Sequence, residues 1–237
     1  MLQLINQAKS SSPDNVPNVI ASISELIEKK SFNEKEEKKV EEFILSLISD
    51  SVPSIQRSLY SLSTVLLNVI DNYDSPTFSK FINEIILKIC IILSASPNRI
   101  KTIRQETIDF ARYIRQKIGS EKFWKVFSTI FTEKSPYAKS TALELLIETI
   151  TEEPLFKTKY FIRSVFVLLD NSNQMVKKQA YQIATILYKR NSGNVTKLIS
   201  NIFHANGDSI IQKIESDIQA NEETSEVEFD NMSISSI

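Results

Sequence analysis

The sequence predicts an all-α fold, an α-solenoid of about six antiparallel helix hairpins, and three observations lead there. First, the 237 residues include only three glycines. Phosphate-gripping loops, β-bulges and primed hairpin turns need residues that tolerate positive φ, so all-β and Rossmann-type architectures are disfavoured. Second, apolar residues recur at helical spacing along nearly the whole chain, with no alternating strand pattern in competition. Third, one phrase repeats: a polar turn, then a second helix with a basic residue in its first turn and an alanine one turn later. Val176, Lys177 and Ala180 follow the turn that starts at Asp170; Ala138, Lys139 and Ala142 follow the one that starts at Thr132. Ile103, Arg104 and Thr107 make a third copy, and Ile55, Gln56 and Leu59 a weaker fourth. Irregular intervals of about forty residues suit stacked helix pairs, each burying its apolar side on the next.

Met1 to Ala8 forms a short helix with Leu2, Leu4 and Ile5 on one side, broken by Ser10-Ser11-Ser12-Pro13-Asp14. Val16 to Lys30 follows, with Pro17 tolerated in the first turn and Val19, Ile20, Ile23, Leu26 and Ile27 at helical spacing. Asn33 caps the next helix, whose Glu34, Glu36 and Glu37 complement the positive end of the macrodipole. That helix buries Val40, Phe43, Ile44, Leu47 and Ile48. Ser51-Val52-Pro53-Ser54 turns into a helix reaching about Tyr73. Asp74-Ser75-Pro76 opens another, Thr77 to Leu93, apolar on most sides and so expected between neighbours.

Arg99 to Ile118 reads as the longest helix, stopped by Gly119. Ser120 caps a helix from Glu121 to Thr132, and Ser135-Pro136 opens one ending before Pro154. Leu155 to Leu169 and Asn173 to Arg190 make the clearest pair. Asn194 to Phe203 and Asp208 to Gln219 make the last, joined by Ala205-Asn206-Gly207. A folded body of residues 1–220 is therefore expected, with 221–237 as an acidic, disordered tail.

The formal charge of −1 hides an asymmetry. The tail carries Glu222, Glu223, Glu226, Glu228 and Asp230 without a base, leaving residues 1–220 with 28 bases and 24 acids. Such a body can meet an acidic protein but lacks the density of positive charge expected for nucleic-acid binding. Cys90, the single cysteine, lies in the apolar run Ile89-Cys90-Ile91-Ile92 and reads as core, which suits a reducing compartment. No apolar run approaches a bilayer span and no apolar stretch follows a basic flank at the N-terminus, so a soluble cytoplasmic protein is expected.

Catalysis lacks its usual parts. His204 is the only histidine, so neither a Ser-His-acid set nor a multi-histidine metal site assembles. No glycine-rich nucleotide motif is present, and no cofactor or metal is expected. Glu36 with Glu37, and Glu152 with Glu153, read as solvated charge. Trp124, in Lys122-Phe123-Trp124-Lys125-Val126-Phe127, has two readings, core packing or a partly exposed interface anchor.

The basic residues at the turn-to-helix junctions are the sharper signal. Arg99, Lys101, Arg104, Lys134, Lys139, Lys177 and Lys178 fall where second helices begin, facing the unfavourable end of the macrodipole at a few tenths to about 1 kcal/mol each. Two compensations are open. The cations pair with acids of the preceding turn, Lys177 with Asp170 and Lys139 with Glu133, or they form a ridge that docks on an acidic partner. Between Arg99 and Lys139 there are ten bases and four acids.

Asp170…Val176-Lys177…Ala180, with Ser135-Pro136…Ala138-Lys139…Ala142-Leu143-Glu144…Leu146 before it, resembles the turn-and-second-helix pattern of HEAT repeats, the HEAT/armadillo-type superhelix. About six hairpins in some 220 residues resemble the TOG domain of CLASP-type proteins and microtubule polymerases. That resemblance implies a microtubule-associated protein that binds tubulin with the edge formed by the within-hairpin turns and regulates microtubule dynamics. Its contacts would fall near Ser51 and Val52, at Arg99 and Lys101, at Lys134 and at Asn173. Val52, Arg99, Lys101, Arg104, Lys134, Lys139, Lys177 and Lys178 are therefore the candidate partner-binding residues. The first turn, Ser10 to Asn15, lacks the aromatic residue that tubulin-gripping TOG domains often carry. Two other readings stay open: a generic helical-repeat adaptor binding a peptide along a helical face, and a regulatory subunit whose acidic tail competes for its own basic edge.

Overall fold

A computed structural model describes residues 1–29, 33–49, 51–69, 76–95, 101–159 and 161–219, those of 76 and 77 as backbone only. The described residues are helical and turn, without a strand. In chain order the helices are α1 (Leu2–Ser10), α2 (Val16–Glu28), α3 (Glu34–Leu47), α4 (Pro53–Val69), α5 (Pro76–Leu93), α6 (Arg104–Ile118) and α7 (Ser120–Phe127). There follow α8 (Pro136–Glu152), α9 (Ile162–Val167), α10 (Gln174–Arg190), α11 (Ser192–Phe203) and α12 (residues 207–219). Short 3₁₀ segments extend α7, α9 and α11 at Ser128–Thr132, Leu168–Asp170 and His204–Asn206. The chain divides into two compact units, Met1–Thr141 and a second beginning at Ala142.

In the first unit the helices pack in two rows. α1 meets α3, α3 meets α5 and α5 meets α7, while α2 meets α4 and α4 meets α6. Cross-contacts of α1 with α2, α3 with α4 and α5 with α6 join the rows. The apolar stripes account for this. Ile20, Ile23 and Ile27 of α2, Leu59, Leu62 and Leu66 of α4, and Ile108, Ala111 and Ile114 of α6 are buried at helical spacing. Each wholly enclosed leucine or isoleucine contributes about 1.5–3 kcal/mol. α3 starts as its composition requires. Asn33 accepts from the Glu36 N–H at 3.1 Å while the Glu36 carboxylate accepts from the Asn33 N–H at 3.2 Å, a closed capping box.

The repeated phrase keeps its meaning. Ile55 and Leu59, Ile103 and Thr107, and Ala138 are buried in the first unit, and Ala142, Val176 and Ala180 in the second. Thr107 is the polar exception. Its hydroxyl donates to the Ile103 carbonyl at 2.8 Å and accepts from the Tyr60 phenol at 3.0 Å.

Several boundaries differ from the sequence expectation. α6 begins at Arg104 rather than Arg99, and α5, with 18 residues against its 15, is longer. Residues 101–103 form a turn because Ile103 turns inward, wholly buried with φ −133 and ψ 2, and the Thr102 carbonyl is taken by Arg57. The N-cap of α7 is Gly119 in place of the expected Ser120: at φ 86 it ends α6 and starts α7 together, a conformation that a Cβ would strain. The helix expected from Leu155 shrinks to α9. Leu155 is 94% exposed, and the Phe156 and Phe161 rings stack at 6.0 Å, five residues apart, a spacing that a continuous helix would place on different faces.

α5 packs on α3, α6 and α7 yet leaves Leu87 and Ile91 exposed, so it is not enclosed on all sides. Leu47 is half-buried where full burial was expected, and Glu41 is buried in its stead. The expected tail at 221–237 lies outside the described residues.

In the second unit α9 packs on α10 and α11, and α10 on α11. Asn173 caps α10, its side-chain oxygen accepting from the Met175 and Val176 N–H groups at 3.1 and 3.2 Å. The α11–α12 corner is close: a Cβ on Gly207 would stand 3.1 Å from the Ser200 backbone. α12 contributes Ile210, Ile211 and Ile214 to the core of this unit.

Candidate docking edge

In the first unit two arginines hold the starts of α4, α6 and α8 against one another. Arg57, in the second turn of α4, donates through Nε to the Glu106 carboxylate at 2.6 Å and through Nη2 to the Thr102 carbonyl at 2.8 Å. Arg104, the first residue of α6, donates through Nε to the Thr141 hydroxyl of α8 at 3.1 Å. The chain thus folds so that helix starts 49 and 37 residues apart in sequence share one border. Charge-assisted bonds of this kind are directional and fix register as well as proximity.

The candidate residues separate into three groups on this frame. Val52, one residue before α4, is 49% exposed, and Lys101 and Lys134 are exposed in their turns. None of these three has an ion pair among the described residues. Arg104 is half-buried and engaged with Thr141, so it joins helices rather than facing a partner with a free guanidinium. Lys139 is half-buried one turn into α8, and the expected pair with Glu133 is absent among the described residues. Arg99 lies outside the described residues.

In the second unit the internal ladder takes its expected form at one rung. Lys177 Nζ stands 3.8 Å from the Asp170 carboxylate, which rises from the turn before α10. Lys178 is exposed beside it. Both line an open cleft of about 750 Å³ between α10 and α12, together with Tyr181, Lys213 and Asp217. Lys213 Nζ sits 4.3 Å above the Tyr181 ring. Burial first, then the Asp170 and Asp217 carboxylates, push the Tyr181 phenol above its ordinary range.

The surplus of bases between Arg99 and Lys139 is partly spent inside the first unit. Arg112 binds Asp109 at 2.8 Å, Arg115 is 4% exposed, and Lys117 lies over the Tyr113 ring at 5.6 Å. Trp124 belongs to the core: it is wholly buried, edge-on to Phe123 and Phe127 and parallel to Phe131.

Sequence reasoning missed Arg57 and Glu106, whose joint role depends on a fold that brings α4 beside α6. Arg57 lies two residues beyond Ile55 of the weakest repeat copy, and only that offset hinted at it. Also missed was the groove floored by Tyr60, Phe110 and Tyr113 between those helices. It is open, about 400 Å³, with the Tyr60 and Phe110 rings stacked at 4.7 Å. Among the described residues no three of His, Cys, Asp and Glu cluster as metal ligands, and no helix is long and apolar enough to cross a membrane.

No protein-family model matches the chain, and no curated protein does. Among solved structures, the crystal structure of an engineered protein is similar over 92% of this chain and 96% of its own, at 11% identity and a TM-score of 0.35. That likeness is too slight to bear on fold or function.

Proposed function

We propose that this chain is a non-catalytic docking protein of TOG type, a HEAT/armadillo-like stack of helix hairpins that binds tubulin or microtubules through its turn edge and so regulates microtubule dynamics. The observation that supports it is the border in the first unit. Arg57 and Arg104 hold the starts of α4, α6 and α8 together while Val52, Lys101 and Lys134 remain outward, the two lysines without an ion pair among the described residues. Exposed cations at helix N-termini are unfavourable in the free protein, and an acidic partner surface removes that cost. Rim charges of this kind accelerate association and make it sensitive to salt.

The test is co-sedimentation with microtubules and co-elution with purified tubulin, comparing the native chain with a triple variant, Arg99→Glu, Lys101→Glu and Lys134→Glu. Loss of binding at unchanged helicity is expected. Equal binding by both proteins would remove the mechanism.

The groove between α4 and α6 favours a second reading, a scaffold or regulatory subunit that holds an extended peptide over Tyr60, Phe110 and Tyr113. Under that reading Tyr113→Ala abolishes partner capture and the triple charge reversal does not.

A further inference from the structure

The docking edge holds an exposed aromatic side chain that no charge argument requires. Tyr137 is the second residue of α8 and is 56% exposed. Its phenol has no hydrogen bond among the described residues. Thr141, four residues on, shares its helix face and receives Arg104 from α6, so Tyr137 stands one turn nearer the border, on the side toward the start of α6. Scattered exposed apolar residues are commonplace and mean little. Here their placement is biased: of eight large ones exposed among the described residues, Val52, Tyr137 and Met175 stand at the starts of second helices, and Tyr137 is the one aromatic among the eight. Met175, 62% exposed, occupies in the second unit the repeat position that Tyr137 occupies before Ala138.

We infer that Tyr137 is the apolar anchor of the edge, its ring entering an apolar recess in the acidic surface of tubulin while Lys101 and Lys134 lie around it against carboxylates. The inference rests on the tubulin-docking reading and adds to it the contact that sets how long the complex lasts. Rim cations govern encounter; the slow step of leaving depends on a desolvated anchor, and tyrosine supplies area with few rotatable bonds. Charge complementarity argues for an acidic occupant: among the described residues Lys134, Lys101 and the half-buried Lys139 outnumber Glu133, the acid of these turns without an ion pair, since Glu106 is taken by Arg57. A neutral apolar surface would leave these cations desolvated and unpaired, at a net cost.

The experiment measures binding of the full chain to purified tubulin at low and high salt, for the native protein, Tyr137→Ala, Tyr137→Phe and the pair Lys101→Glu with Lys134→Glu. Tyr137→Ala is expected to weaken binding about tenfold or more, by the same factor at both salts and through faster dissociation. Tyr137→Phe is expected to bind as the native protein does. The lysine pair is expected to lose most at low salt. Circular dichroism checks that each variant keeps its helicity. If Tyr137→Ala binds normally while the lysine pair fails, the anchor is wrong and the docking edge stands. A loss shared equally by Tyr137→Phe would mean a hydrogen bond instead of an apolar contact, and a loss confined to low salt an electrostatic one; either overturns the inference. Absence of native binding at both salts would remove the docking reading and the anchor with it.

Discussion

Arg57 and Glu106 meet at 2.6 Å, joining the early turns of α4 and α6 across 49 residues of sequence. Arg57 holds the Glu106 carboxyl below its usual range, its hydrogen bond being the largest cause. Both side chains are more than a third exposed, so water and salt screen the pair and it contributes only about 0.2–1 kcal/mol. A double-mutant cycle with Arg57→Ala and Glu106→Ala, read by urea unfolding, should give a coupling in that range that shrinks at high salt. Arg57→Ala should cost more than Glu106→Ala, because it also releases the Thr102 carbonyl. Since the carboxyl is depressed in the folded state, the coupling is complete above the ordinary carboxylate pKa and disappears as pH falls through the folded value.

Trp124 sets a larger energy. Its ring is wholly enclosed by Phe123, Phe127 and Phe131, so Trp124→Ala should cost about 3–5 kcal/mol through lost contact and the cavity left behind. As the one tryptophan in the chain, it reports its own surroundings: acrylamide should quench its fluorescence weakly in the native protein and strongly in denaturant. Strong native quenching would place the ring at the surface.

Glu41 makes stability depend on pH in the direction opposite to Glu106. It is 6% exposed on α3, and its carboxyl is pushed from 4.5 up to about 7, first by burial and then by Glu37, with Lys38 opposing. The folded protein therefore holds this proton more tightly than the unfolded chain, and between about pH 4.5 and 7 stability falls as pH rises. Water reaches the carboxyl through a cleft shared with Lys80 and Glu84, so the effect should be on the order of 1–2 kcal/mol. Thermal melts of Glu41→Gln should lose this slope and exceed the native protein at pH 8.

Cys90 should be chemically silent until the chain opens. Burial pushes its thiol up to about 12, while a hydrogen bond with Thr129 opposes the shift. Ellman's reagent should leave the native thiol untouched at neutral pH and titrate one thiol per chain in urea. Rapid labelling of the folded protein would contradict the enclosed position.

The sequence alone determined the features that depend on a few neighbouring residues. The Asn33 cap, the stop at Gly119, the start at Pro136 and the buried positions of the repeated phrase follow from caps, backbone preference and a period of 3.6, all local. The sequence offered the Lys177–Asp170 and Lys139–Glu133 pairs on equal terms, and packing formed the first of them. Only the tertiary structure decided where α6 begins, which way Trp124 faces, that 155–159 are not helical and which cations are engaged. Arg104 is a docking candidate by spacing alone, and Thr141, 37 residues later, makes it a strut; Lys101, three residues earlier, finds no such partner among the described residues. A cation's charge is written in the chain, but whether it is spent inside the protein or left for another molecule is fixed by groups that only packing brings near.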